Sequence, residues 1–131
     1  MADKVDNILE KMTDELLWYS EESIFSKEQV KKIVKARRDQ EYQLQRKDAQ
    51  VSYFLDAIQY EKNLERRKNK RKKELDKINT DFRHDNGIKR RVMHLYDRAC
   101  RKFKQNKILW KEYLEYLVRT RSLQKLNRVV S

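Results

Sequence analysis

The sequence predicts an all-α fold, and three observations carry its helical content; a weak repeat, described below, implies that antiparallel helical hairpins stack as an α-solenoid. The 131 residues include one glycine, Gly87, and no proline, so the residues that most strongly punctuate helices are almost missing. Apolar residues recur at i, i+3, i+4 and i+7 along most of the chain, the period of one helix face. Charged residues make up 41 % and aromatics 10 %. Disordered chains share the first property and lack the second, whereas long helices with narrow apolar stripes use both.

Taken in order, Val5, Ile8, Leu9, Met12, Leu16 and Tyr19 place an amphipathic helix over residues 4–20, acidic on its other face. Ser26 and Gln29 have the spacing of a capping box, with Phe25 before them to staple onto Val30, so a second helix opens there. Its stripe of Val30, Ile33, Val34, Arg37, Glu41 and Leu44 carries it to about Arg46. A third helix starts near Ser52 on Tyr53, Phe54, Ala57, Ile58, Tyr60, Glu61 and Leu64, and then turns basic. Residues 66–73 hold Arg66, Arg67, Lys68, Lys70, Arg71, Lys72 and Lys73 around Asn69. No apolar residue holds this tract in a core, so it is expected to be solvated or to order on a partner. Asn79, Thr80, Asp81, Asp85, Asn86 and Gly87 predict a loop around 78–86. Ile88, Val92, Leu95, Tyr96, Ala99 and Phe103 mark a fourth helix. Asn106 caps a fifth on Leu109, Trp110, Tyr113, Leu114, Tyr116 and Leu117. Leu123, Leu126, Val129 and Val130 begin a sixth that the chain end cuts off. Residues 1–47 thus form an N-terminal helical region, and residues 48–131 a set of helical repeats with a basic insertion at about 66–86.

Composition narrows the chemistry. The net charge is +12, but it is uneven: residues 1–30 carry three Lys against eight Asp or Glu, and the rest is strongly basic. A basic body with an acidic arm suits nucleic acid or acidic protein partners. With one cysteine, Cys100, no intramolecular disulfide forms, and a reducing compartment is expected. His84 and His94 lack zinc-ligand spacing with a cysteine pair. No metal, cofactor, membrane span, secretory signal or small-molecule substrate is expected, and a glycine-rich phosphate cradle is excluded; the chain reads as soluble and intracellular. Catalysis needs a second group beside Glu61, and none is visible; Glu61 reads instead as an ion-pair partner for Arg91 or Arg98.

A weak internal repeat adds to this. Helix three aligns on helix five with Phe54 against Trp110, Ala57 against Tyr113 and Tyr60 against Tyr116. The spacing exceeds a helical-hairpin period of about 34 residues, and the basic tract with its loop accounts for the excess. Aromatics on each first helix, followed by Leu95-Tyr96-Asp97-Arg98-Ala99 on the second, resemble the half-a-TPR (HAT) repeat, a TPR-like unit. The expected packing residues are Phe54, Ala57, Tyr60, Glu61, Tyr96, Ala99, Trp110, Tyr113 and Tyr116. Arrays of this type need at least about three units, so a longer solenoid is expected; the repeat alone fits an ordinary helical bundle with core aromatics equally well.

The order of features carries a wider resemblance. An acidic first helix precedes Ser23-Ile24-Phe25-Ser26 and a helix ending Glu41-Tyr42-Gln43-Leu44-Gln45-Arg46. Phe54-Leu55-Asp56-Ala57-Ile58-Gln59-Tyr60-Glu61-Lys62-Asn63-Leu64 and the basic tract follow. This resembles the N-terminal region of the U3 small nucleolar RNA-associated protein six family, with Ala57 standing where the family usually carries Tyr. The resemblance implies a non-enzymatic HAT-repeat scaffold in the B subcomplex of the small-subunit processome. Such a scaffold supports pre-18S ribosomal RNA processing in the nucleolus, beside WD-repeat propeller proteins and the U3 ribonucleoprotein. On that reading Val5, Ile8, Leu9, Met12 and Leu16 form a protein-docking helix. The basic tract has three readings: an RNA or acidic-partner contact, a nuclear import signal, or a solvated helix end. A direct RNA-binding helical module and a scaffold of splicing or polyadenylation are the alternatives for the whole.

Overall fold

The computed structural model describes residues 2–75, 82–120 and 127–129. It contains α1 (Ala2–Glu10), α2 (Thr13–Glu21), α3 (Lys27–Leu44), α4 (Val51–Glu74), α5 (Phe82–Asp85), α6 (Gly87–Lys102) and α7 (Lys107–Arg119), and no strand among the described residues. α3 packs on α1, α2 and α4, α4 on α6, and α6 on α7. This neighbour-to-neighbour order fits a stacked helical array.

The helix expected over 4–20 is two helices. At the junction the Met12 amide donates to the Leu9 carbonyl at 3.0 Å, a tightened turn of 3₁₀ type. Beyond it Glu15, Leu16, Trp18 and Tyr19 are all buried, a wider inward face than one continuous stripe provides. Ser23 then takes a left-handed φ of 59° while the amides of Ile24 and Phe25 both donate to the Tyr19 carbonyl. Reversed there, the chain enters α3 through the expected capping box: Ser26 Oγ accepts from the Gln29 amide at 3.1 Å and Gln29 Oε1 from the Ser26 amide at 2.8 Å. Phe25 turns its ring edge to Tyr19, 5.2 Å between centroids.

The largest departure concerns α4. The basic segment, expected within an insertion or as a solvated helix end, is the second half of one 24-residue helix, about 36 Å long at 1.5 Å per residue. Residues 82–85 of the expected loop form the single turn α5; residues 78–81 lie outside the described residues, as do Leu123, Leu126 and Val130 of the expected sixth helix. Asn106 caps α7 by accepting from the Leu109 amide at 3.0 Å.

The core joins Phe54, Ala57, Ile58 and Leu64 of α4 to Ile88, Val92, Leu95, Tyr96 and Ala99 of α6 and to Leu109, Tyr113, Tyr116 and Leu117 of α7. Tyr96 stacks on Tyr113 at 5.1 Å, and Tyr113 donates to Asp97 at 2.6 Å. Trp110 and Tyr60 are only half-buried. The Trp110 indole donates to the Lys104 carbonyl at 3.2 Å, so it seals the turn before α7 rather than filling the centre.

Candidate interaction surfaces

Most of the buried ionisable groups meet in one internal network. The Arg37 guanidinium, fully buried, donates to Glu61 at 2.8 and 3.3 Å and to Glu15 at 3.0 and 3.3 Å. The Tyr19 hydroxyl also donates to Glu15. One helical turn further along α3, buried Glu41 accepts from Arg98 at 2.7 Å, lies 3.5 Å from Arg91, and Arg91 donates to Gln40 at 2.9 Å. Burial opposes the charge on Arg37, yet the Glu61 and Glu15 carboxylates outweigh it and hold its pKa above the ordinary value. Burial, reinforced by the Glu15 carboxylate, likewise keeps Tyr19 protonated. Glu61 therefore pairs with Arg37, not with Arg91 or Arg98 as the sequence suggested; those two serve Glu41. The signal was present, since Arg37, Glu41 and Glu61 stand at apolar-stripe positions, but partner choice depends on how α3 crosses α4 and α6.

Gly87 sits against this network. A β-carbon built there falls 2.4 Å from Cδ and 2.7 Å from Oε2 of Glu15, a separation that real side chains do not tolerate. The glycine has no positive φ, so its role is close approach of α6 to Glu15, not the turn read from sequence.

Two outward surfaces remain. The first is an open groove of about 680 Å³ between α1, α2 and α3. Leu9, Leu16, Leu17, Val30 and Val34 form its floor, Asp6 and Glu10 one wall, and Lys27, Lys31 and Arg38 the other. Of the residues expected to dock a partner, Leu9 and Leu16 reach this groove. Ile8 and Met12 line a separate cleft with Arg90, Arg91 and His94, and Val5 is fully buried. Sequence patterning missed Leu17, 53 % exposed, because it lies off the α1 stripe.

The second is the basic half of α4, which divides by face. Lys68, 2 % exposed, donates to the Asp85 carbonyl at 2.6 Å and pairs with its carboxylate at 3.1 Å, and Lys72 pairs with the same carboxylate at 2.5 Å. Burial opposes the Asp85 charge, but the Lys72 hydrogen bond and Lys68 prevail and hold its pKa below the ordinary value. Arg71 donates to the Ile24 and Ser23 carbonyls at 3.3 and 3.4 Å and pairs with Glu74. Arg67 lies over the Phe25 ring at 5.7 Å. The expectation that nothing internal holds the tract is corrected: these four cations tie α4 to the α2–α3 turn and to α5. Arg66, Lys70 and Lys73 face outward, exposed.

A family model described as U3 small nucleolar RNA-associated protein 6 matches residues 9–94, a span running from α1 through the groove, the network and the basic half of α4 into α6. The U3 small nucleolar RNA-associated protein 6 of Schizosaccharomyces pombe is 33 % identical over 129 residues, covering 98 % of this chain and 26 % of that protein. The Homo sapiens homolog is 29 % identical over 134 residues, covering 100 % of this chain and 22 % of that protein. The chain thus spans about a quarter of the length of these curated relatives. With nearly the whole chain aligned, and two thirds of it matched by the family model, the chain belongs to the U3 small nucleolar RNA-associated protein 6 family.

Proposed function

We propose that this chain is a non-enzymatic scaffold segment of the small-subunit processome. It acts in the U3 ribonucleoprotein and its B subcomplex in the nucleolus, supporting pre-18S ribosomal RNA processing through protein contacts, WD-repeat propeller proteins among them. Its relatives are named for association with the U3 small nucleolar RNA, which favours this reading over a splicing or polyadenylation scaffold. One structural observation carries it: the buried carboxylates Glu15, Glu41 and Glu61 are paired with arginines inside the fold, while the groove between α1, α2 and α3 stays open with an apolar floor. Its walls of opposite charge suit an amphipathic partner helix, whose apolar face meets the floor and whose two flanks carry complementary charge.

The test is co-purification of the tagged protein from nuclei, reading both proteins and RNA. Recovery of WD-repeat processome proteins and U3 RNA, lost from Leu17→Asp, is the expected result. Leu17 is exposed, so this substitution leaves the fold intact. Recovery of spliceosomal RNAs without U3 RNA overturns the assignment, and equal recovery by Leu17→Asp removes the groove from it.

A further inference from the structure

The outward face of α4 runs into a smaller cleft of about 440 Å³ that α4 shares with α6 and α7. Lys62, Arg66, Asn69, Lys89, Arg119 and Thr120 line it, with Glu65 and the buried Tyr116 ring among them. Arg66, Lys70 and Lys73 follow at intervals of four and three residues, which stacks their side chains on one helix face over about 10 Å. They are exposed. Among the described residues, the salt bridges of this half of α4 engage Lys68, Arg71 and Lys72 and pass over these three.

We propose that Arg66, Lys70 and Lys73, continued by Lys89 and Arg119 in the cleft, form a binding row for the phosphate backbone of single-stranded RNA. The inference rests on the scaffold reading above and adds to it a direct RNA contact with named residues. Three features set the row apart from a solvated helix face.

First, three of its cations, Arg66, Lys89 and Arg119, converge with Lys62 on a concave surface from α4, α6 and α7, where like charges in proximity raise the local potential. Lys62 registers that potential: burial and then the Arg119 charge lower its pKa, and its ammonium is held on Tyr96 Oη at 2.8 Å. Second, the charge is linear, which matches a polyanionic strand better than a single anion. Third, the surface lacks exposed apolar anchors, since the Tyr116 ring in the cleft wall is buried. The large hydrophobic side chains exposed among the described residues are Leu17, Tyr42, Ile108 and Val118, and none lines the cleft. A protein partner draws its affinity from such anchors, whereas a nucleic-acid backbone needs cations and hydrogen-bond donors, here supplied by the row itself and by Asn69. Bases have no exposed ring to stack on in this row, so binding is indifferent to sequence.

Fluorescence anisotropy of a labelled 20-nucleotide oligouridylate, titrated with the 131-residue protein from 50 to 200 mM KCl, tests the row. With the named cations engaged, log K falls with log[KCl] at a slope of about −3.5. Arg66→Gln/Lys70→Gln/Lys73→Gln brings the slope to about −1.4 and weakens binding at least about tenfold at 100 mM KCl. A control with the same loss of charge at exposed sites elsewhere, Lys32→Gln/Lys104→Gln/Lys111→Gln, stays within about threefold of the parent. Circular dichroism confirms that both variants fold. Equal weakening by the two triples overturns the row in favour of diffuse attraction. Failure to bind RNA, with a polyglutamate peptide bound and released by the α4 triple, assigns the face to an acidic protein and overturns it too. The scaffold reading stands or falls separately, on the Leu17→Asp co-purification with the row intact.

Discussion

Replacing Arg37 by Met removes the one cation between Glu15 and Glu61. The side chain is fully buried and makes four hydrogen bonds to the two carboxylates, with its Nη1 also 3.5 Å from Met12 Sδ. Methionine keeps the apolar stem but not the guanidinium head, so a small cavity adds to the main cost, which is that of orphaned buried charge. Deleting one partner of a buried pair costs about 3–5 kcal/mol, and with two carboxylates abandoned we expect the upper part of that range. A chain of this size has a total stability of about 6–20 kcal/mol, so Arg37→Met folds but melts about 10–20 °C lower. Urea unfolding followed by circular dichroism and by the fluorescence of buried Trp18 measures the loss. Neutralising the abandoned partners as well, in Arg37→Met/Glu15→Gln/Glu61→Gln, returns most of it, because removing a whole buried ion cluster costs far less than breaking it. If Arg37→Met stays within about 1 kcal/mol of the parent, or the triple variant is less stable than the single one, the network does not hold the helices in the way described.

Three further outcomes follow from the same geometry. Gly87→Ala pushes its methyl into Glu15, costing about 1–3 kcal/mol as overpacking despite the helix propensity of alanine; unchanged or raised stability in urea refutes the close approach. Burial raises the pKa of Tyr96 to about 12 and those of Tyr19, Tyr113 and Tyr116 further. Their contribution is therefore complete below the ordinary value of 10 and declines above it. In an absorbance titration at 295 nm these four ionise late and together with loss of helicity; early, independent ionisation contradicts their packing. Asp85 has a depressed pKa, so its contribution is present above the ordinary value of 3.8 and lost as pH falls below it. Asp85→Asn lowers stability by about 1 kcal/mol at pH 7, a partly exposed clamp, and the gap narrows as the pH is taken below the ordinary carboxyl value; a gap that does not change with pH rules out the carboxylate as the cause.

Local patterning resolved most helices and both side-chain caps because those signals lie within a few residues of one another. The Ser26–Gln29 box and the Asn106 cap need only their own turn of backbone. What escaped depends on distant neighbours. The basic tract reads as solvated as long as Asp85, Phe25 and the carbonyls of Ser23 and Ile24 are out of view, and chain separations of up to 48 residues lie between Arg71 and its acceptors. The break at Met12 was illegible for the same reason, since helix periodicity continues through it and only the inward turn of Glu15 and Trp18 requires it. Trp110 shows the limit of the aromatic pattern: Tyr113 and Tyr116 on the same stripe are core, while the residue at the helix start seals a turn.

Placing one set of charges inside and another outside makes ionic strength a selective tool. Screening in 1 M salt reaches down to about 3 Å between solvated charges, enough to release a polyanion from Arg66, Lys70 and Lys73. Arg37 and Glu61 are fully buried and Glu15 nearly so, and their contacts persist. High-salt washing can therefore strip bound polyanions from this protein while its helices stay docked, and return to low salt restores the surface without refolding.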